Sequence, residues 1–404
     1  MNILVLTFSF PQLDLGVYDG RFVLSEALAL AQAGAKVRVL TPYFRGCSVN
    51  ERIGENLEVI RFKYLPPLLP HTLKRPGKPI YRASSLWEFI QIPLLCICFM
   101  LNAFRYSRWA HIIHAQWTLN ALLALPAKLI FKKKLVVTAR GTDLATIPIW
   151  LNQLIHYQVD AAIDCFGPQP FNDIYKKTYS AQFIRLPLIV HVDPVNQMPD
   201  DMKSRIKDVS NTFIVLYVGR FDILKLETNK LPIFGLIEAT YILRQKRDDF
   251  HVFYVGSGDP KIERRMEALV EKYDLTSTVT FLGSKTRPYD YMKFCHLGIG
   301  GIALNAVCQE YTVLGKPQIL METPDNKDTP WRHMENAIFV RPDSPDDLAE
   351  KILWGMRNPF LLEEIGKRAK ESMKGLIVDS AEGGKYYLIA FQKLVGFGEA
   401  EIKG

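Results

Sequence analysis

The stretch from residue 298 to 321 combines glycines, a carboxylate and a helix stop in an order that suits binding of an anion. Three glycines follow an apolar segment, a helix-like segment carrying Glu310 comes next, and Gly315 and Pro317 end that segment. Glycine lets a backbone approach a ligand closely, and N–H groups at the start of a helix attract negative charge. We therefore predict a strand, loop and helix that bind an anionic ligand.

Glu310 is the acidic residue of this stretch. Its neighbours Tyr311 and Leu314 follow a helical apolar spacing, and periodicity alone also allows a solvated helix carboxylate. The run Glu310-Tyr-Thr-Val-Leu-Gly-Lys-Pro317 resembles the Glu-Ala-x-Ala-x-Gly-x-Pro signature of retaining GT-B glycosyltransferases, the family called family 4 or group 1. In that family the glutamate holds the ribose hydroxyls of a nucleotide sugar, and the resemblance implies this role for Glu310.

Basic residues follow the strand predicted for residues 213 to 219. Val218-Gly-Arg-Phe221 resembles the Val-Gly-Arg-Leu of the same family, in which the arginine and a lysine five residues later grip the donor diphosphate. The resemblance assigns Arg220 and Lys225 to the diphosphate, with Lys230 as a second candidate for the lysine. A solvated loop charge is the alternative for either lysine.

The loop after the first predicted strand contains two separated glycines, Gly16 and Gly20. Family members usually carry two adjacent glycines here, against the donor diphosphate, and Gly20-Arg-Phe-Val23 resembles a Gly-x-Phe-Val variant of that loop. The resemblance implies that Gly16 and Gly20 contact the diphosphate. Glycines so spaced are also ordinary turn residues.

Two further segments resemble strand ends that lie near the donor sugar in the family. Ile112-Ile-His-Ala-Gln-Trp117 resembles Ile-His-Ala-His-Trp, and Leu135-Val-Val-Thr-Ala-Arg140-Gly-Thr-Asp143 resembles Val-Thr-x-His-Gly-x-Asp. Arg140 stands where many members have a histidine, and a guanidinium stays charged and cannot act as a base. We expect Arg140 to bind phosphate or an acidic acceptor in the catalytic site.

A second departure lies eight residues before Glu310, where family members usually have another glutamate and this chain has Ile302. We predict that the amide of Asn305 contacts sugar or phosphate instead, and it joins Arg140 as a catalytic candidate. No Asp-x-Asp metal spacing stands out. We therefore expect neither a required metal ion nor a cofactor other than the nucleotide-diphosphate sugar donor.

The elements that position these residues alternate between strand and helix, and the alternation occurs twice. This pattern predicts an α/β fold with two Rossmann-like parallel-sheet domains, and the resemblance implies the GT-B arrangement in which they face a central cleft. We predict an acceptor domain over residues 1–190, a linker over 191–210 and a nucleotide-sugar domain over 211–380. A C-terminal helix in residues 381–404 is expected to cross back towards the first domain.

The net charge of +8 comes from the first half of the chain. Residues 61–140 hold 13 basic side chains and one acidic side chain, Glu88, without any RNP-like, helix-turn-helix or zinc-finger pattern, so we expect no nucleic-acid partner. The basic residues flank a helix predicted from about residue 84 to 105, which Pro93 should kink or split. Burial in a core and contact with an anionic membrane surface both fit this apolar helix, which contains fewer unbroken apolar residues than a bilayer span needs.

The six cysteines show neither metal-ligand spacing nor the density of a disulfide-rich protein, and the N-terminus lacks a basic leader. We therefore expect a cytoplasmic protein. If the apolar helix contacts lipid, the protein would be peripheral on the inner face of the cell membrane. We predict a hexosyl-type glycosyltransferase of polysaccharide or glycolipid biosynthesis. It would move a sugar from a nucleotide-diphosphate donor to a lipid-linked or glycan acceptor, with retention. The alternatives are a catalytically silent GT-B relative serving binding or assembly, which the residues at 140 and 302 favour, and a nucleotide-sugar epimerase.

Overall fold

The computed structural model describes residues 1–12, 20–66, 68–73, 85–138, 148–164, 182–193, 195–221, 231–301, 305–322 and 329–396. The chain divides into two compact units. The first consists of Met1–His191 and Val378–Gly404, and the second of Val192–Ile377. From residue 192 onward, the stretch predicted as a linker is grouped with the second unit, where Met202 and Ile206 are buried.

The first unit is built on a sheet of eight strands. Its elements follow one another as β1 (Asn2–Leu6), α1 (Arg21–Gln32), β2 (Lys36–Pro42), β3 (Asn50–Ile53), β4 (Leu57–Phe62), α2 (Leu86–Ser107), β5 (Ile112–Gln116), α3 (Thr118–Phe131), β6 (Lys134–Thr138), α4 (Ile149–Gln158), β7 (Ala161–Asp164), β8 (Gln182–Arg185) and β9 (Leu188–Val190). The strand order is β3-β4-β2-β1-β5-β6-β7-β8. Within this sheet β3 pairs antiparallel with β4, and the pairings described for the other strands are parallel.

Apolar strands explain why this sheet is covered on both faces. Ile3, Leu4 and Val5 of the central strand β1 are all buried, as expected for a parallel strand between two helix layers. The helix α2 begins after Ser85, whose side chain caps the N–H of Glu88, and it continues unbroken through Pro93. The predicted split at Pro93 is therefore wrong, and the alternative of a kink there stays a prediction. Pro93 lies on the exposed face of α2, where the carbonyl left without its partner can face solvent.

The chain returns to the first unit at its C-terminal end, through β16 (Ile377–Asp379), which pairs with β9, and α12 (Ser380–Val395). α12 packs closely on α1, because a side chain at Gly384 would overlap the carbonyl of Ala29. Tyr387 and Phe391 are fully buried. The last helix is thus part of the core of the first unit.

The second unit holds a six-stranded sheet. Its elements are α5 (Asp200–Lys203), β10 (Phe213–Val218), a π-helical turn (Leu231–Gly235), α6 (Leu236–Arg244), β11 (Phe250–Val255), α7 (Pro260–Lys272), β12 (Val279–Phe281), α8 (Tyr289–Met292), β13 (Leu297–Gly301), α9 (Ala306–Val313), β14 (Gln318–Met321), β15 (Ile338–Val340), α10 (Pro345–Arg357) and α11 (Pro359–Ser372). The strand order is β12-β11-β10-β13-β14-β15, and all five pairings are parallel. The predicted α/β fold with two Rossmann-like parallel sheets is confirmed.

Acid should weaken both units through two buried histidines, His156 in the first unit and His251 in the second. Burial lowers the pKa of each to about 4. Because this folded-state value lies below the unfolded value of about 6.5, the stabilisation is complete above about pH 6.5 and is lost as the pH falls towards 4. We expect each histidine to remove about 2 kcal/mol of unfolding free energy between about pH 7.5 and about pH 5.

Urea unfolding of the native chain and of the variants His156→Gln and His251→Gln at these two pH values measures this effect. Glutamine does not titrate, and at position 251 it can keep a hydrogen bond like the one His251 Nε2 makes with Thr280 Oγ1, at 2.9 Å. Each variant should therefore lose about 2 kcal/mol less than the native chain on acidification. An unchanged pH dependence in both variants would show that other groups govern acid sensitivity.

Candidate active site

The strand order of the second unit places a topological switch point between β10 and β13. The connection after β10 leads outward in one direction, to β11, and the connection after β13 leads in the other, to β14. Open α/β sheets bind ligands in the crevice beyond the carboxyl ends of strands at such a point. Arg220 follows β10 and Glu310 lies on the helix that follows β13, so both belong to connections at this switch point.

The loop that carries Arg220 is held by backbone contacts with the neighbouring loop. Gly219 N–H donates to Val255 O at 3.0 Å, and Asp259 N–H donates to Phe221 O at 2.7 Å. The two loops lie so close that side chains at Gly256 and Gly258 would overlap the carbonyl groups of Gly219 and Phe221. The backbone on either side of Arg220 is therefore fixed by the fold.

Arg220 is an exposed residue that directly precedes the buried residue Phe221. Phe221 is buried, with its ring stacked 6.1 Å from that of Tyr217, whereas the side chain of Arg220 is exposed. An arginine whose backbone is fixed and whose guanidinium faces outward can offer a planar fork of donors to a phosphate group. Lys225 and Lys230, the predicted partners of Arg220, lie outside the described residues.

Tyr311 and two glycines fix α9, which carries Glu310, against the sheet. Tyr311 O–H donates to Leu216 O on β10 at 2.8 Å, and a side chain at Gly298 would meet the Tyr311 ring. A side chain at Gly300 would meet Cys308 and Gln318. These two glycines therefore make room for the protein's own side chains, which corrects the prediction that they serve close approach to a ligand.

The side chain of Glu310 is buried, so the alternative of a solvated helix carboxylate is wrong. A buried carboxylate costs free energy unless it forms hydrogen bonds or ion pairs, and such residues are retained where a partner or a ligand requires them. Glu310 precedes the anchoring residue Tyr311, whose phenol is kept protonated because burial raises its pKa well above the usual range. Helix α9 thus presents Glu310 from a fixed position.

Asn305 caps the start of α9. Its Oδ1 accepts from Cys308 N–H at 2.8 Å, and its Nδ2 donates to Gly300 O at 2.7 Å. An asparagine three residues before the N–H that it caps is a recognised sequence signal for a helix start. The amide fixes the turn between β13 and α9, while the predicted contact of Asn305 with sugar or phosphate stays a prediction.

The sheet of the first unit also has a switch point, between β1 and β5. A network of buried polar side chains lies next to it. Gln116 Nε2 donates to Glu26 Oε2 at 2.6 Å and lies 3.3 Å from His114 Nε2, which is 2.7 Å from Thr138 Oγ1. Tyr387 O–H donates to Glu26 Oε1 at 3.4 Å. The network joins α1, β5, β6 and α12, and it ends at Thr138, directly before the segment that contains Arg140.

Sequence reasoning missed the role of Glu26 in this network. A local signal was present, because Glu26 occupies the i+3 position from Val23 and the i−4 position from Leu30, both buried on the inner face of α1. Its partners Gln116 and Tyr387 lie far along the chain. Their meeting depends on the tertiary fold and has no local pattern.

Gly20 begins α1 with a φ of 81°, in the left-handed region. A side chain there would also overlap the carbonyl of Ser9, so the turn requires glycine for its own geometry. The next residues approach the end of β5, where the Phe22 and Trp117 rings pack edge to face at 5.5 Å. Contact of Gly20 with a diphosphate stays a prediction beside this structural requirement.

The predicted site residues therefore fall into two groups. The first group lies within the described part of the chain: Gly20 in the first unit, and Arg220, Asn305 and Glu310 in the second. The second group lies outside the described residues, together with Ile302: Gly16, Arg140, Lys225 and Lys230. In the described ranges no group of three histidine, cysteine, aspartate or glutamate side chains is placed to hold a metal ion.

Comparison with protein families matches residues 200–372 to the model of glycosyl transferases group 1. This segment includes Arg220, Asn305 and Glu310. A comparison with curated protein sequences finds no match. The matched segment lies within the second unit, Val192–Ile377.

Solved structures resemble the whole chain. A sucrose-phosphate synthase from Thermosynechococcus elongatus has a TM-score of 0.69 at 17% identity, with 98% of this chain and 100% of that chain covered. HepE from Anabaena, in complex with UDP-glucose, has a TM-score of 0.63 at 14% identity, with 97% and 100% covered. The trehalose-6-phosphate synthase OtsA has a TM-score of 0.67 at 10% identity, with 97% and 99% covered. At these identities the likeness shows the fold, which is that of GT-B glycosyltransferases.

Proposed function

We propose that this protein is a glycosyltransferase that moves a sugar from a nucleotide-diphosphate donor to an acceptor hydroxyl. The observation that carries the proposal is the position of Arg220 and Glu310 within a group 1 domain. The two residues belong to the connections that follow adjacent strands at the switch point of a Rossmann-like sheet. An exposed guanidinium and a buried carboxylate there match the two ends of a nucleoside diphosphate, one anionic and one rich in hydroxyl groups.

In the proposed reaction, the bond between the anomeric carbon and the diphosphate oxygen breaks, and a bond from that carbon to the acceptor oxygen forms. The acceptor hydroxyl releases its proton, and the leaving diphosphate gains negative charge. The guanidinium of Arg220, assisted by Lys225 or Lys230, would stabilise that charge as it develops. Glu310 would accept hydrogen bonds from the ribose hydroxyls and so position the nucleotide.

Finer features of the reaction are part of the same proposal. Retention of the anomeric configuration and hexosyl transfer rest on the likeness of the Glu310–Pro317 run to the family signature. Independence from metal ions rests on the supply of positive charge by Arg220 and a nearby lysine. Because the guanidinium of Arg140 is always charged, an anionic acceptor, such as a lipid-linked diphosphate sugar, is favoured over a neutral glycan.

Calorimetric titration with UDP, followed by an assay with UDP-glucose in the presence of EDTA, tests the proposed function. UDP is the first probe because HepE is solved with UDP-glucose. We expect micromolar binding of a nucleoside diphosphate, weaker binding of the nucleoside alone, and slow EDTA-resistant release of UDP from the cognate donor. If a panel covering all common nucleoside diphosphates failed to bind, the proposal would be wrong.

The residues at positions 140 and 302 favour a second candidate, a binding or assembly subunit without catalytic activity. Such a protein would bind the nucleotide but would neither transfer nor hydrolyse the donor with any acceptor. An epimerase would convert the donor sugar without an acceptor. Product analysis in the same assay distinguishes these three outcomes.

A further inference from the structure

The outer face of α2 is apolar although it is exposed. Six large apolar side chains on its outer face expose between 40% and 78% of their surface: Leu86, Phe89, Ile90, Leu94, Ile97 and Leu101. Leu86, Ile90, Leu94, Ile97 and Leu101 recur every three or four residues, with Phe89 beside Ile90, and so form one stripe along the helix. Contiguous apolar surface of this extent is rare on a protein that meets only water.

The inner face of α2, in contrast, contains polar groups. Glu88 and Gln91 are buried, and the Gln91 amide bonds to Thr72 Oγ1 at 2.7 Å and to the backbone N–H of Leu73 at 3.2 Å. An amphipathic helix at a water-facing surface would instead present polar side chains on its outer face. The exposed stripe is therefore suited to an apolar environment outside the protein, while Leu95, Phe99 and Ala103 on the other face belong to the core of the first unit, as predicted for a core helix.

Helix α2 is also fixed to the first unit along its length. It spans 22 residues and would be long enough to cross a bilayer. Yet Leu95, Phe99 and Ala103 are fully buried, and the Phe99 ring lies 5.0 Å from the ring of Phe8. Removing α2 from the unit would open this core, so the helix is placed to lie along a membrane rather than to cross it.

The neighbouring helices also expose large apolar side chains. α2 packs on α3, and α3 packs on α4, so the three form one layer. α3 exposes Leu129 and Ile130 near its C-terminal end, and α4 exposes Trp150, Leu154 and Tyr157 at i, i+4 and i+7. Tryptophan and tyrosine are the aromatic residues that favour the boundary between lipid and water. We name the exposed side chains of α2, α3 and α4 the helix-layer surface.

Positive charge borders the helix-layer surface. Between residues 86 and 134 the chain has six basic residues and a single acidic residue, Glu88, which is buried. Two of the six, Lys128 and Lys134, form ion pairs with Asp160. Arg105 and Arg108 continue the exposed stripe of α2 beyond Leu101, and the Arg108 guanidinium lies 5.7 Å from the Phe131 ring at the end of α3. This distribution is complementary to anionic lipid headgroups. A second copy of the chain would instead bring like charges together.

We propose that the helix-layer surface docks the first unit onto an anionic lipid bilayer, with α2 lying in the interfacial plane. The apolar side chains would enter the boundary between headgroups and acyl chains, and the arginines would contact the phosphate groups. This proposal rests on the described helices alone and does not require the proposed glycosyltransferase activity. A soluble acceptor would leave it unaffected.

Flotation of the full chain with vesicles of phosphatidylcholine, with and without phosphatidylglycerol, tests the proposal. We expect at least about tenfold stronger binding to the anionic vesicles, weakened by added salt. The double variant Ile97→Glu and Leu101→Glu should lower that binding by about tenfold or more, because it places two carboxylates in the apolar stripe. The variant Arg105→Ala and Arg108→Ala should weaken binding to anionic vesicles by a similar factor and leave binding to neutral vesicles unchanged.

The matched control is Phe360→Glu and Leu361→Glu, which introduces the same charges at exposed apolar positions of α11 in the second unit. It should change vesicle binding less than about twofold. Circular dichroism and thermal unfolding establish that each variant is folded. Native protein that does not float with anionic vesicles would overturn the proposal. So would a folded Ile97 and Leu101 variant that floats like the native chain, or one that converts a native dimer to a monomer without changing flotation.

Discussion

Replacing Arg220 by alanine should lower kcat/KM for sugar transfer by about 10²–10³-fold. The guanidinium follows β10 at the switch point, and the loop contacts that fix the backbone beside it do not involve its side chain. The substitution therefore removes the charge that stabilises the leaving diphosphate and leaves the fold in place. Steady-state kinetics with the cognate donor measures the loss, and Arg220→Lys should recover part of it, because lysine keeps the charge without the fork.

Arg244→Ala is the matched control, since Arg244 is an exposed arginine at the end of α6 in the same unit. Its kcat/KM should stay within about a factor of two of the native value. An Arg220→Ala enzyme that transfers sugar at the native rate would exclude the guanidinium from the diphosphate site. A fall in thermal stability with no specific loss of diphosphate affinity would assign Arg220 a structural role instead.

Glu310→Gln should raise the Kd for UDP by about 10–100-fold, because a hydrogen bond to a charged group contributes about 1.5–3 kcal/mol. Glutamine keeps the shape of the buried side chain and removes its charge. The effect should depend on the ribose. The affinity for 2′,3′-dideoxyuridine diphosphate, which lacks both hydroxyls, should be nearly equal in the native and variant proteins. Calorimetry with the two ligands and two proteins forms a double-mutant cycle.

Glu371→Gln provides the control for the loss of one negative charge, since Glu371 is exposed on α11 of the same unit. It should leave both dissociation constants within about twofold of their native values. If Glu310→Gln weakened the two ligands equally, Glu310 would act on the nucleotide through some contact other than the ribose hydroxyls. If neither ligand were affected, Glu310 would lie outside the site.

Much of the architecture could be predicted from the sequence because the signals are local. The apolar run of β10, the glycine and arginine that follow it, and the short helix carrying Glu310 each occupy a single segment. Their order implies parallel strands, and parallel strands bring their carboxyl ends to one edge of a sheet. The relation of Arg220 to Glu310 across β10 and β13 follows from that topology.

The remaining features depend on contacts between distant segments. The role of Gly298 is set by the Tyr311 ring, and Glu26 meets Gln116 and Tyr387 only in the folded first unit. The interpretation of Gly298 as a ligand-facing residue was wrong. A sequence does not distinguish a glycine that makes room for a ligand from one that makes room for a neighbouring side chain. The outward direction of the α2 stripe was likewise undetermined, because periodicity separates the two faces of a helix without saying which one is buried.

The route of the chain through the first unit has a consequence for synthesis on the ribosome. The residues of the second unit, Val192–Ile377, are contiguous, whereas the first unit needs Tyr387 and Phe391 from the end of the chain to fill its core. The second unit can therefore reach its native state during translation, ahead of the N-terminal segment that was made first. The N-terminal segment must wait with an incomplete core until the last helix leaves the exit tunnel, and a nascent chain cut short before α12 would carry that defect permanently.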